Sequence, residues 1–351
     1  MTFDSYVQSL TQDKIVPSVV DGAFNGNVLT ARLLKNGKRW DGEALKRPMM
    51  YQKNSAQGSY SGFDPLSTSK INTRIISSFD PRQYYQSVVL SNLDLAVNAT
   101  QSRVLDLLKV EMETAKMSMA DSIGGLFYGD GTGNSNKDFL GLGAAVDDGT
   151  NVATYGTQTR SSYSALQSSV TTGVGALTIS AMATSYNAAK VGTAKPTLIV
   201  TDESVWTYYE SLVQPQIRAN YDVGGYKQVT SMGMAENKSA LGVGEVGFDA
   251  LMYRGVPVVA DEKCTSGFMY MLNEDYLKWY GLKHPQHGEV EMKINNIQSG
   301  AYENKVPVYG CAWTGLKEPV NQDAEIGQFL LYGNLVCWSP RHQAVLKGIT
   351  S

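Results

Sequence analysis

Cysteine and histidine are scarce in this chain of 351 residues, with three of each. Cys264, Cys311 and Cys337 lie far apart, are odd in number and form no C-x-x-C pair. That argues against a disulfide framework and for buried thiols in a reducing compartment. Of the histidines only His284 and His287, in "KHPQH", are close. A metal site there would need two more ligands, and the intervening Pro285 favours a loop, so both are expected at the surface. A surplus of charge is missing too: 30 basic against 33 acidic residues leave −3, too little to hold duplex DNA through bulk electrostatics. No stretch approaches the roughly twenty apolar residues of a membrane span, so no membrane partner is expected. The opening "MTFDSYVQSLTQDKIVPSVV" carries acids where an export signal needs bases, so the chain is expected to be made and kept in a cytoplasm.

Catalytic patterns are equally thin. There is no G-x-S-x-G elbow for a serine nucleophile, and three histidines offer few bases. Asp147 and Asp148 sit in a polar turn, where solvation is the expectation. The sequence therefore predicts no catalytic residue, no cofactor and no metal.

What the chain does have is the glycine-rich stretch "LFYGDGTGNSNKDFLGLG", Leu126 to Gly143. A dinucleotide cradle needs strand, then G-x-G-x-x-G, then a helix N-terminus, whose free N–H groups face the pyrophosphate. Here the glycines follow a predicted helix C-terminus, where carbonyls repel an anion. The G-K-[ST] ending of a Walker loop is also missing. A calcium ladder from Asp130 through Thr132 and Asn134 would put Ser135 where the turn needs Gly and Gly141 where the bidentate Glu belongs. The stretch is expected to stop a helix, and a Gly-loop nucleotide-binding enzyme is the different-class alternative. A secreted Ser/Thr/Tyr-rich adhesin would suit the composition but lacks the signal.

The predicted helix runs from about Leu93 to Phe127. Val104, Leu108, Met112, Ala115, Met119, Ile123 and Phe127 recur at spacings of three and four, and Gly124 and Gly125 are expected to weaken its end. Before it, residues 1–35 show no clear period. Residues 35–91 alternate in a pattern broken by "SAQGSYSGFDP", which predicts a long hairpin flanked by "ALKRPMMYQKN" and "KINTRIISSFDP". An isolated ribbon of that length needs something to lie on. Residues 31–83 hold ten Lys and Arg and four acids, so this segment is +6 while the rest of the chain carries −9. That polarity suits an arm lying on a neighbour's body. After the glycines, "LTISAMATSYNAAKVG" predicts a helix, "KPTLIVTD" a buried strand, and "DESVWTYYESLVQPQIRANY" a helix capped by Thr201 or Asp202. Residues 253–282 predict three short strands, and "VPVYGCAWTG" and "FLLYGNLVCW" two more.

Three segments carry a resemblance: "LDLLKVEMETAKMSMADSIGGLFYGDGTGNSNKDFLGLGAAV", "RGVPVVADEKCTSGFMYMLNEDYLKWY" and "EPVNQDAEIGQFLLYGNLVCWSPRHQAVLKG". In this order the chain resembles the major capsid proteins of tailed double-stranded DNA bacteriophages (Caudoviricetes), from about residue 35 to its end. The resemblance implies an α+β, Hong Kong 97-like fold with an N-arm (1–35), an extended β-hairpin loop (36–92), and a peripheral domain with a long spine helix (93–164 and 283–334). It also implies an axial domain (165–282 and 335–351). It implies a non-enzymatic subunit that self-assembles, as hexamers and pentamers, into the icosahedral head shell of a virion built in the host cytoplasm. The partners implied are further copies, a portal, separate scaffolding or decoration proteins, and packaged DNA contacted without sequence preference. An encapsulin-like compartment shell is the alternative that shares the fold. The chain begins directly at the arm, with no fused helical scaffold expected. Lys46, Arg47, Lys53, Tyr60, Phe63, Lys70 and Arg74, on the hairpin, are the expected subunit interface. Some relatives crosslink a lysine to an asparagine; Lys46 or Lys53 and Asn321 or Asn334 have the chemistry, but no motif marks them.

Overall fold

The structure, a computed structural model, describes residues 27–97, 101–222, 250–287, 289–294 and 304–350. Two six-stranded sheets organise it. In the first, β1 (Lys38–Trp40), β13 (Leu277–Leu282), β16 (Ala324–Cys337), β15 (Asn304–Trp313) and β14 (Glu289–Ile294) lie in that order, and β4 (Arg82–Ser91) pairs along β16 from Ala324↔Ser91 to Gly333↔Arg82. In the second the order is β10 (Ala250–Tyr253), β11 (Val256–Ala260), β9 (Leu198–Thr201), β12 (Met269–Leu272), β17 (Ala344–Leu346), β7 (Ser169–Thr171).

The alternation of strand side chains explains why "LIVT" is buried on both faces. Leu198 and Val200 join one core with Tyr270, Leu272 and Val345, whereas Ile199 joins another with Met269, Met271, Ala344 and Leu346. The second core includes Met182 and Tyr186 of α4 (Ile179–Ala189) and Val205 and Tyr209 of α5 (Glu203–Asp222). Thr178 caps α4 by accepting the Ala181 N–H at 3.1 Å, and Asp202 caps α5 through Val205 N–H at 3.3 Å.

Of the predicted long helix the structure describes α2 (Asn92–Val97) and α3 (Gln101–Tyr128). With 28 residues α3 is about 42 Å long. Of its stripe, Ala115, Met119, Ile123 and Phe127 are buried and Leu108 and Met112 half-buried, while the Val104 side chain lies outside the described ones. The helix runs through Gly124 and Gly125 and ends at Tyr128, directly before the glycine-rich stretch expected to stop it. Gly124 gives room to Asn27, whose side chain a Cβ there would meet at 2.5 Å. Asn27 stands at the entrance of α1 (Val28–Lys35), which is tied down at both ends. Asp261 accepts the Leu29 N–H at 3.0 Å, and Arg32 makes a two-pronged ion pair with Glu274 at 2.8 and 2.9 Å. No helix among the described residues is long and apolar enough to cross a membrane.

Candidate assembly surfaces

The expected hairpin forms between β2 (Leu45–Met50) and β3 (Arg74–Phe79), paired from Leu45↔Phe79 to Met50↔Arg74. Its root is anchored by aromatic packing. Phe79 meets Tyr155 and Trp338 edge to face at 5.1 and 5.5 Å, and Arg47 lies over the Trp338 ring. Beyond Met50 the two arms continue without a ladder. Tyr51 N–H donates to Thr73 O, Tyr51 hydroxyl to Asn72 O, and a turn at Ser61–Asp64 closes the tip. Lys46, Arg47, Lys53, Tyr60, Phe63, Lys70 and Arg74 are all exposed. Phe63 projects fully, and Tyr60, Leu66 and Met50 are each about two-thirds exposed. The structure therefore brings the seven expected interface residues onto one projection.

A second projection escaped the sequence reading. Past β15 and β16 their hairpin is extended by Lys317↔Ile326, and its turn carries Val320, fully exposed. Asn92 ties α2 to this turn, donating from its side chain to Asp323 at 2.6 Å, and α2 adds the exposed Leu93 and Val97. Residues 92–97 and 314–325 contain Asp94, Glu318, Asp323 and Glu325 against Lys317 alone. The only local signal is an isolated valine in "EPVNQDAE", too short a pattern to separate a projecting tip from an ordinary turn.

The glycine-rich stretch folds back on the helix it follows. Gly129 N–H bonds to Leu126 O, and Gly143 N–H to Gly129 O. Asp130 is spent on its own loop, accepting Thr132 N–H at 2.9 Å and Thr132 hydroxyl at 2.7 Å. Those bonds hold its carboxyl below the usual range. Gly131, at φ +80°, takes a conformation that L side chains resist, and its carbonyl accepts from Arg82, which also bonds Asp138 O. Asn334 completes the seam, accepting Leu140 N–H at 2.9 Å and donating to Asp80 O at 3.0 Å. It is 1% exposed and has no free amide to offer Lys46 or Lys53, so of the two asparagines considered only Asn321 lies at the surface. Between this loop and the hairpin root lies an open cavity of about 1030 Å³, floored by Tyr85, Gln328, Leu330 and Tyr332.

One ionisable group departs from expectation, and a second, Arg160, is buried beside it. Asp147 is not solvated but fully buried. Burial pushes its carboxyl up, but Val152 and Gly149 N–H at 2.9 Å and Asn151 Nδ2 at 3.0 Å outweigh this and hold it below the usual range. Arg160, also buried, donates to the carbonyls of Asp147, Leu166 and Ala144. One guanidinium thus gathers a segment that makes little regular structure. The three cysteines are free and buried, and burial pushes the Cys311 and Cys337 thiols up to about 12. His284 stacks on Tyr332 and accepts the Gln286 and His287 N–H groups, and among the described residues no cluster of three or more metal-ligating side chains forms.

No family model and no curated relative matches the sequence. Solved structures do. The chain is similar to the capsid subunit of cyanophage A-1(L), with 16% identity and TM-score 0.68 over 99% of this chain and 100% of that one. A native GTA particle capsid matches with 9% identity and TM-score 0.56, over 97% and 96%. The SrpI encapsulin of Synechococcus elongatus matches with 12% identity and TM-score 0.53, over 99% and 96%. This chain has the Hong Kong 97-type fold. The likeness spans hairpin, long helix and both sheets, so the α+β architecture expected from the three quoted segments is the one observed. The glycine turn that follows the long helix is held against the first sheet by Arg82 of β4 and Asn334 of β16.

Proposed function

We propose that the chain is the structural subunit of an icosahedral shell, the head of a tailed double-stranded DNA phage. The observation that carries this is a full-length likeness to capsid subunits joined to a hairpin that holds Tyr60, Phe63 and Leu66 in solvent. Exposed side chains of that size on a narrow projection cost solubility unless another surface covers them. In this reading residues 1–35 are the N-arm, 36–92 the extended loop, 93–164 and 283–334 the peripheral domain, and 165–282 with 335–351 the axial domain. The subunit does no chemistry of its own. Copies join as hexamers and pentamers through heterologous contacts, which close into rings when the rotation permits. A portal and separate scaffolding or decoration proteins complete a virion assembled in the host cytoplasm, with DNA held inside without base recognition.

Electron microscopy of the purified full-length chain tests this, with closed hollow particles expected. Removing Gln57–Asp64 should leave a soluble subunit that forms few closed shells. Normal particles from the deletion would remove the hairpin's role, and monodisperse monomers from the parent would end the shell reading. Long nuclease-protected DNA in particles from infected cells separates a phage head from an encapsulin-like compartment, which would yield cargo protein instead.

A further inference from the structure

The cavity between the glycine loop and the hairpin root has no part in the shell reading. Its floor is one face of the β4–β16 pair. Residues paired across two strands share a face, so Tyr85 with Leu330 and Gln83 with Tyr332 point one way, while Tyr84 turns to the other side and packs on Phe139. Tyr85 is 64% exposed although it lies within a strand, and Tyr332 is held by stacking on His284. Around these rings stand four side-chain amides, Gln83, Gln328, Asn134 and Asn136, each with donors and an acceptor. The charged lining cancels, with Asp80 and Asp138 against Arg82 and Lys137. The rim is also where the backbone is least relaxed. Among the described residues five other than glycine have φ between +48° and +65°, and four of them, Asn134, Ser135, Asn136 and Thr157, are gathered here. Asn tolerates that conformation and Ser and Thr resist it, and residues held in this way collect at ligand sites.

We propose that this cavity binds a neutral saccharide. A pyranose ring has an apolar C–H face and a girdle of hydroxyls, each both donor and acceptor. Tyr85 and Tyr332 meet the face, and the four amides meet the hydroxyls. A lining without net charge favours neither a phosphate nor a cation. The floor is a sheet face, so an extended peptide finds no strand edge to join there. At about 1030 Å³ the cavity stands at the upper end of the roughly 300 to 1,000 Å³ of ligand sites, with room for several sugar rings, and its open side lets a longer chain run out. One such site is weak. A shell repeats it, and many copies gripping one polysaccharide gain avidity without any new contact. That last step rests on the shell reading, whereas the site itself belongs to the folded subunit.

Retention of the full-length, unassembled chain on immobilised neutral hexasaccharides of glucose, galactose, mannose and N-acetylglucosamine tests this, with a heparin hexasaccharide as the acidic comparison. Retention on at least one neutral glycan is expected. Tyr85→Ala should lower it by about tenfold, the loss of one ring contact, whereas Tyr85→Phe keeps the ring and should bind like the parent. Asn134→Gly removes an amide but adopts φ +48° freely. Its binding should therefore fall while its melting temperature does not, which separates a ligand contact from a structural one. Assembled particles should be retained more tightly than the subunit at equal chain concentration. Failure to hold any neutral glycan, retention on heparin alone, or unchanged retention in Tyr85→Ala overturns the site. Retention that vanishes on assembly assigns the cavity to a segment of a neighbouring copy and overturns it as well. A chain that makes no particles ends the shell reading, while retention by the subunit still judges the cavity.

Discussion

Replacing Gly141 by alanine tests whether the glycine stretch is a built helix stop. The residue's φ of −116° is open to any side chain, so backbone strain plays no part. Space does: a Cβ there would lie 2.5 Å from Leu126 O, 2.7 Å from Phe127 O, and against Gly129 O as well. These are backbone carbonyls at the end of α3, held by Gly143 N–H and by packing of Phe127 on Trp279, and cannot swing aside as a flexible side chain would. Separating the loop from the helix end costs about 3 kcal/mol, the upper part of the range for overpacking. At roughly 2 °C per kcal/mol for a chain of this size, the melting temperature should fall by about 6 °C. Gly125→Ala is the control, because a Cβ there meets nothing within 4 Å and alanine favours the helix by about 1 kcal/mol. The two variants should therefore shift unfolding of the unassembled subunit in opposite directions, measured by tryptophan fluorescence. If Gly141→Ala melts with the parent, the close approach of loop and helix end is wrong, and the stop is mere chain punctuation.

Two buried carboxylates give opposite pH signatures. Asp147 is held below its ordinary range, so its contribution is present above the unfolded value near pH 4 and is lost as pH falls through the folded one. Asp147→Asn should cost about 2 kcal/mol at neutral pH and progressively less in acid, read from urea midpoints; an equal cost at both ends of the titration would remove the carboxylate's role. Asp261 is the reverse case: burial raises its carboxyl despite the N–H bonds from Leu29 and Lys263, so the charged form costs stability as pH rises above the unfolded value. Asp261→Asn keeps an acceptor for α1 and should melt no lower than the parent at neutral pH, whereas Asp261→Ala should lose about 1 kcal/mol, and an Asn variant weaker than the Ala one would contradict this.

The long helix, the hairpin, the buried strand Leu198–Thr201 and the cap at Asp202 were legible because each writes a local period or a local cap. Asp147 and Arg160 were not. A carboxylate in a polar turn and an arginine in "TQTRSS" look solvated until distant carbonyls and N–H groups close around them. No motif separated Asn334 from Asn321 as a crosslinking candidate for the same reason: Asp80 and Leu140, which occupy the Asn334 amide, are remote in sequence. The acidic turn was missed because its signal is spread over two segments, 92–97 and 314–325, that only the Asn92–Asp323 bond brings side by side.

By itself the sequence determined the order of elements, the polarity of a +6 segment against a −9 remainder, and the placement of the glycines after a helix. These follow from neighbours in the chain, through periodicity, capping and dipole direction. Tertiary structure alone decided what those pieces face. It turned "LFYGDGTGNSNKDFLGLG" from a possible ligand loop into a seam closed by Arg82 and Asn334, and set a basic apolar tip and an acidic apolar turn at opposite ends of one strand. Burial and long-range pairing are properties of three-dimensional neighbours, and a residue's three-dimensional neighbours are fixed only when the whole chain has packed.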